Sequence, residues 1–329
     1  MGHARAVGWF RRAIQGGRIG GAYLLHGPRG VGKATLARAV AAALLCEAPD
    51  EDGEACGRCD ACQAVARGRH PDVVWVAPST EAGNITIQQI RDLRMRLSLS
   101  PQRGAWTVAA LERADRLTLE AANAFLKSLE EPPGQTVLFL LAEEVDALPE
   151  TIRSRCLPFY LGPVDRSLIA RTLEERLGLA PEEARRRALA SAGRPGWAME
   201  GWEGALRRRQ TAIDWLRQAL VQPPARVDRL TRELEGGDPG EVDENLAAMI
   251  WLWRDVAAWV FGGKQPDIVT GDQEMEALLR RIRPVGAVEG LRTLIRAREM
   301  IARYTSRRLT LNWAWMVLRR ASCGDRSAS

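Results

Sequence analysis

The run Gly27-Pro28-Arg29-Gly30-Val31-Gly32-Lys33 has the residue types and spacing of a phosphate-binding loop. An apolar stretch of strand length, residues 22–26, precedes it, and a helical pattern follows it. In the context of strand, glycine-rich turn and helix, backbone N–H groups curl around phosphate oxygens and the lysine reaches the β- and γ-phosphates. We predict the backbone of a nucleotide site here, in preference to a glycine-rich turn without a ligand.

The residue after the lysine does not bind metal. Ala34 stands where such loops carry the Ser or Thr whose hydroxyl holds Mg²⁺. The hydroxyl of Thr35 is one position along, so it leaves the helix in a different direction. We therefore expect at most weak binding of ATP.

A second apolar run, residues 106–111, predicts a strand that brings an acidic residue to the loop. Glu112 follows it, where a carboxylate would help to position Mg²⁺, but the next residue is Arg113. A hydrolysing site places there a Glu that orients the attacking water, and an arginine cannot accept a proton. The site therefore lacks two groups that hydrolysis needs: the hydroxyl that binds the metal and the carboxylate that orients the attacking water.

The number of thiolates that tetrahedral zinc requires is supplied by Cys46, Cys56, Cys59 and Cys62. The intervening residues 47–53 are polar and loop-like, so the module should depend on the metal for its order. Two disulfides, or thiols without a role, are the alternatives. We expect no secretion signal, and only Cys156 and Cys323 remain, so we favour structural zinc. Catalytic zinc is disfavoured because four protein ligands leave no place for water.

Two further runs, together with the loop and the cysteines, carry a family resemblance. Residues 123–133 read Asn-Ala-Phe-Leu-Lys-Ser-Leu-Glu-Glu-Pro-Pro, and residues 151–156 read Thr-Ile-Arg-Ser-Arg-Cys. The combination resembles the bacterial clamp-loader subunits of DNA polymerase III, strongly over residues 5–162 and by pattern alone beyond them. Within that family, Ala34 and the run Glu112-Arg113-Ala114-Asp115 are similar to the subunit that does not hydrolyse ATP.

The resemblance implies a role for Arg155. In similar proteins the arginine of this run crosses a subunit interface and contacts the γ-phosphate held by a neighbouring motor subunit, where its planar donors meet developing charge. Arg153 is a weaker candidate. From the residues alone, Arg155 could instead pair with a nearby carboxylate such as Glu150 or be solvated.

The resemblance also concerns the strand predicted at residues 136–141. In hydrolysing relatives a small polar residue after this strand senses the γ-phosphate, but here the run is Ala142-Glu143-Glu144. Carboxylates would repel a phosphate. The lid helix should begin near residues 191–198, and Gly196 falls at the position of a nucleotide-sensing Arg, two residues after Arg194.

The expected fold class is an α/β P-loop AAA+ domain, with a parallel sheet flanked by helices. We place this domain at residues 1–162, with the four-cysteine zinc module inserted at 46–62. A small helical lid domain should follow at 163–205, and an all-helical collar domain for oligomerisation at 206–329. Two lid helices are predicted at residues 167–177 and 182–190. Apolar residues recur at helical spacing in the collar, at Leu246, Met249, Ile250, Trp253, Ala257 and Val260. We expect such faces in a core or a subunit contact more than against bases.

The function implied is that of a non-hydrolysing clamp-loader subunit that supplies Arg155 in trans to a partner's ATP site. The partners implied are the tau/gamma motor subunits, the delta subunit, and, through the complex, the sliding clamp and primed DNA. One alternative is an ATP-hydrolysing motor of the tau/gamma type. Another is a zinc-dependent module that binds nucleic acid, whose affinity for DNA would disappear on chelation.

Global composition fits a protein of several domains. The chain has 329 residues, of which 46% are hydrophobic, and a formal net charge of +6. That charge is compatible with contact to DNA but does not indicate it, because short runs such as Arg207-Arg208-Arg209 are common on solvated helices. No apolar run approaches the roughly 20 residues of a membrane span, so we expect a cytoplasmic protein without a membrane partner.

Overall fold

The structure is a computed structural model of the full chain. It describes residues 2–79, 83–199, 202–221, 227–228, 231–232, 235, 239–263, 266, 273–302 and 306–322. Cys323 lies outside the described residues. The chain divides into two compact units, Met1–Glu200 and Gly201–Ser329.

The first unit contains a parallel sheet of five strands. They are β1 (Gly21–His26), β2 (Val73–Val76), β3 (Thr107–Glu112), β4 (Thr136–Ala142) and β5 (Leu157–Tyr160), in the order β2-β3-β4-β1-β5. The central strand β4 is buried along its whole length, as a parallel strand covered on both faces should be. The predicted parallel α/β architecture is confirmed.

Helices cover both faces of this sheet. They are α1 (Ala4–Gln15), α2 (Lys33–Leu45), α3 (Asp60–Ala66), α4 (Ile87–Leu97), α5 (Leu119–Glu130) and α6 (Glu150–Arg153). Alternate strand residues point to opposite faces. Leu138 and Leu140 therefore pack with α4 and α5, whereas Val137 and Phe139 pack with α1 and α2.

Three helices follow the sheet within the same unit: α7 (Arg166–Leu177), α8 (Pro181–Ala190) and α9 (Pro195–Met199). The carboxylate of Asp165 accepts hydrogen bonds from the backbone N–H groups of Ser167 and Leu168, so it caps α7. A small core around Ile169, Leu173 and other apolar side chains holds these helices together. Their identity as a separate lid domain remains a prediction.

The second unit is helical in its described part. Its helices include α10 (Trp202–Val221), α11 (Pro239–Val260), α12 (Gln273–Leu279), α13 (Pro284–Ala302) and α14 (Arg307–Ser322). The indole of Trp253 is fully buried, and its N–H donates to the carbonyl of Ala287 at 2.9 Å. A Cβ at Gly290 would lie 2.5 Å from that ring, which explains the glycine. Among the helices of the described residues, none is both long and apolar enough to span a bilayer.

Candidate functional site

The phosphate loop lies between β1 and α2, at the edge of the sheet where the strands end. Gly27 has a φ of 143°, and a Cβ there would lie 2.2 Å from the carbonyl oxygen of Leu161. Gly32 has a φ of 112° and forms the N-cap of α2. Both positions therefore require glycine. The N-terminus of α2 points its free N–H groups at this loop, which is the geometry of an anion site.

The side chain of Lys33 turns back onto the loop. Its ammonium donates to the carbonyl oxygens of Gly27 at 2.6 Å and Pro28 at 3.0 Å. Burial lowers the pKa of Lys33, while the carboxylates of Glu143 and Asp115 act in the opposite direction. The lysine is therefore a partly desolvated cation that stabilises the loop itself.

A cavity of about 620 Å³ lies over the loop. Apolar side chains of α1 and α7, among them Val7, Leu168 and Ile169, form one part of its wall. Ala34 also lines it and contributes no oxygen to a metal. The volume of this cavity is within the range of small-molecule pockets in general.

Glu112 reaches the cavity from the end of β3, but its carboxylate already has partners. The indole N–H of Trp75 donates to it at 2.6 Å, and the guanidinium of Arg38 lies 3.8 Å away. Arg38 also stacks on the Trp75 ring, 4.6 Å from its centre. No sequence pattern indicated this network, because Trp75 and Arg38 come from β2 and α2. The carboxylate of Glu112 is therefore engaged by a hydrogen bond and an ion pair within its own chain.

Arg113 and Glu143, which the sequence analysis also singled out, line the same cavity. Arg113 has a left-handed backbone, with a φ of 53°, and is exposed. Glu143 follows β4, and its backbone N–H donates to the carboxylate of Asp115 at 3.0 Å. The structure thus brings Ala34, Arg113 and Glu143, three positions singled out from the sequence, together around the loop.

The four cysteines converge at the junction of α2 and α3. Their sulfur atoms all lie within 4.8 Å of one another. Tetrahedral zinc with Zn–S distances of about 2.3 Å requires sulfur atoms roughly 3.8 Å apart, so this set fits the metal. Backbone N–H groups of Cys56, Cys59 and Cys62 donate to the sulfurs of Cys46, Cys56 and Cys59 at 3.3 to 3.4 Å. Such bonds stabilise thiolates.

The thiols of this cluster differ in their acidity. Hydrogen bonds from the backbone of Arg58 and Cys59 lower the pKa of Cys56 to about 6. Burial raises the pKa of Cys62 to about 12. A metal ion would supply the positive charge that the most buried thiolate needs.

Arg155 follows α6 and does not line the cavity of its own chain. Its Nε donates to the carboxylate of Glu130 at 2.6 Å, and its Nη2 lies 2.5 Å from the same oxygen. The ion pair is thus formed with Glu130 and not with Glu150, the partner considered from the sequence. Arg153 pairs with Asp146 at 3.1 Å.

Known proteins share the part of the chain that carries these features. A family model described as DNA polymerase III, delta subunit, matches residues 2–165, which contain the loop, the cysteines and Arg155. The chain belongs to this family. The DNA polymerase III subunit delta' of Pseudomonas aeruginosa is 39% identical over 207 residues, which are 61% of this chain and 62% of that protein.

Two further relatives come from Escherichia coli strain K12. Its DNA polymerase III subunit delta' is 33% identical over 192 residues, 58% of this chain and 57% of that protein. Its DNA polymerase III subunit tau is 37% identical over 161 residues, 49% of this chain and 24% of that protein. The matched part of the chain spans about 60% of the length of these delta' relatives. The resemblance stated from the sequence is confirmed by these matches.

The phosphate loop also contacts α9, which the sequence did not indicate. The backbone N–H of Gly196 donates to the carbonyl of Gly30 at 2.9 Å. A Cβ at Gly30 would lie 2.6 Å from the ring of Trp197, on which the buried guanidinium of Arg194 stacks. The position considered for a nucleotide-sensing arginine therefore packs on the loop backbone.

Asp72 is a second residue whose role the sequence did not indicate. It is buried and directly precedes β2. Its carboxylate accepts backbone hydrogen bonds from Gln102 at 2.6 Å, Arg103 at 2.8 Å and Gly104 at 3.1 Å. Three converging N–H groups stabilise the charge without a cation. Asp72 thus fixes the loop that leads into β3.

Proposed function

We propose that this chain is a delta-prime type, non-hydrolysing subunit of a DNA polymerase III clamp loader. It supplies Arg155 to the ATP site of a neighbouring motor subunit and so assists the loading of a sliding clamp onto primed DNA. The observation that carries the proposal is the division between two sites. The chain's own cavity is lined by Ala34, Arg113 and Glu143, whereas Arg155 lies outside that lining on the surface.

The surroundings of Arg155 support a subunit contact. Leu157 and Tyr160 on strand β5 are 46% and 64% exposed. Such exposed large side chains close to a charged residue are typical of interfaces with other proteins. We therefore place the contact with the motor subunit at β5 and the adjoining Arg155.

The roles of the other site residues follow from the same proposal. The loop residues Gly27, Gly30, Gly32 and Lys33 keep the fold of the site and bind ATP weakly or not at all. Zinc bound by Cys46, Cys56, Cys59 and Cys62 is structural. The lid at residues 163–205 and the collar at 206–329 serve assembly with the tau/gamma motors and the delta subunit in the cytoplasm.

The experiment that tests the proposal is reconstitution of the loader with an Arg155→Ala variant. Loss of an arginine finger costs on the order of 10³ or more in the hydrolysis rate at the site that it serves. We expect the corresponding phase of ATP hydrolysis and clamp loading to be lost. Arg153→Ala, which removes a neighbouring arginine, is the matched control and should retain both. Normal turnover and loading with Arg155→Ala would refute the proposal.

A motor function is the second candidate, because the glycines and Lys33 of the loop are complete and a tau subunit is among the relatives. It predicts that the isolated chain hydrolyses ATP well above background and loses this activity in Lys33→Ala. The engaged carboxylate of Glu112 and the methyl group of Ala34 favour the opposite result.

A further inference from the structure

The guanidinium of Arg155 is held within its own chain at all three nitrogen atoms. Nε and Nη2 point at one carboxylate oxygen of Glu130, at 2.6 and 2.5 Å. Nη1 donates to the carbonyl of Thr151 at 3.0 Å and lies 3.4 Å from the hydroxyl of Ser154. Most of the five N–H groups of the side chain are therefore engaged.

The backbone on both sides of this ion pair is fixed. Glu130 is the last residue of α5 and follows the buried Leu129, and the helix cannot continue because Pro132 comes two residues later. Arg155 lies between the buried residues Ile152 and Cys156. The ion pair thus joins two backbone positions that buried neighbouring residues hold in place.

Carboxylate and phosphoryl oxygens compete for the same donors. Both accept the paired N–H groups of a guanidinium edge, in the same plane and at the same distances. Glu130 therefore occupies the place that a phosphoryl oxygen would take on this edge of Arg155. One anion must leave before the other can bind the Nε and Nη2 edge.

We propose that Glu130 is an intramolecular latch on the arginine finger, which it stores until the γ-phosphate on the neighbouring subunit displaces it. This inference rests on the proposed function of Arg155. Because the side chains of Arg155 and Glu130 are 34% and 49% exposed, the pair is weak enough to exchange. An ion pair of this kind changes a population by a factor of about five at most. The latch therefore lowers idle hydrolysis without preventing the coupled reaction.

The test measures ATP turnover of the reconstituted loader in the absence of DNA, with Glu130→Gln in this subunit. We expect turnover to rise about two- to fivefold, since the amide no longer competes as an anion. Glu131→Gln removes the same charge from the adjacent exposed residue and should leave turnover unchanged. A rise in activity is not an effect that damage to the fold would produce. Unchanged or reduced turnover in Glu130→Gln would overturn the latch.

Two additional variants separate this inference from the function on which it rests. If Arg155→Ala loses turnover while Glu130→Gln behaves as wild type, the latch alone is wrong. If Arg155→Ala retains turnover, the finger and the latch are both wrong. The double variant Glu130→Gln/Arg155→Ala should equal Arg155→Ala, because the latch acts only through the arginine. A rise that persists in the double variant would contradict the mechanism.

Discussion

At the residue scale, the carboxylate of Glu112 is engaged by two side chains of its own chain. Its carboxylate accepts the Trp75 N–H at 2.6 Å and lies near Arg38. A hydrogen bond to a charged group contributes about 1.5–3 kcal/mol, so the carboxylate is not readily recruited by a weakly held ion. Glu112 therefore does not supply the oxygen that Ala34 lacks.

A serine at position 34 should not restore hydrolysis. Ala34→Ser returns a hydroxyl to the first turn of α2, but Glu112 stays paired and Arg113 still replaces the base. We expect phosphate release by the isolated chain to remain at background. An increase of about tenfold or more over wild type, in proportion to enzyme and abolished by Lys33→Ala, would show that the metal ligand alone was missing.

Asp72 makes a prediction about stability. In Asp72→Asn one carboxylate oxygen becomes an NH₂ group that faces backbone N–H donors, so at least one partly buried donor loses its acceptor. We expect the free energy of unfolding to fall by about 1–3 kcal/mol in a denaturant titration. Asp92→Asn, on the exposed side of α4, is the matched control and should change it by less than about 0.5 kcal/mol. Equal effects of the two variants would contradict the role given to Asp72.

Predictability from sequence differs between these residues. The loop glycines, Lys33 and the four cysteines are close in the chain and have fixed spacings, so their arrangement could be expected. Trp75 lies 37 residues from Glu112 and Glu130 lies 25 residues from Arg155, and no local pattern indicates either pairing. Side chains that meet through the tertiary fold were therefore the part that sequence reasoning missed.

At the scale of elements, the four-cysteine module consists of a short helix and a polar loop around the sulfur cluster. The helix α3 has only seven residues, and its N-cap is Cys59 itself. Contacts of Arg11 with Glu54, and of Gln15 with the carbonyl of Asp52, tie the loop to α1. Helices this short are not stable alone, so the metal should supply much of the order.

Removal of zinc should lower the stability of the fold. It should not change the affinity for DNA, which a zinc-dependent nucleic-acid module would lose. We expect one zinc per chain by elemental analysis, and a fall in the melting temperature on chelation of about 2–4 °C for each kcal/mol of binding energy lost. Cys59→Ser should lose the metal, whereas Cys156→Ala, at a buried cysteine outside the cluster, should retain it. A purified chain without zinc, or an unchanged melting temperature, would contradict the structural role.

The strands show the same limit on prediction as the side chains. Strands β1, β3 and β4 are apolar and central, and their positions agree with the sequence patterns. The edge strands β2 and β5 were not predicted. Strand β2 has four residues, and β5 contains Pro158 and exposed side chains, so neither has a clear periodicity.

At the scale of the whole molecule, the chain combines a phosphate loop and an arginine on separate surfaces of one unit. The loop is stabilised internally by Lys33 and by contact with α9. Arg155 lies beside exposed apolar residues of β5. This separation is what a subunit that acts on its neighbour's nucleotide would need.

The most direct test of this account compares two substitutions in the same subunit of the reconstituted loader. Lys33→Met removes the cation of the chain's own loop, and Arg155→Ala removes the group offered to the neighbour. With ATP hydrolysis coupled to clamp loading as the measurement, we predict near wild-type turnover for Lys33→Met and loss of one site's hydrolysis for Arg155→Ala. The reverse result, with hydrolysis lost in Lys33→Met and retained in Arg155→Ala, would contradict the account.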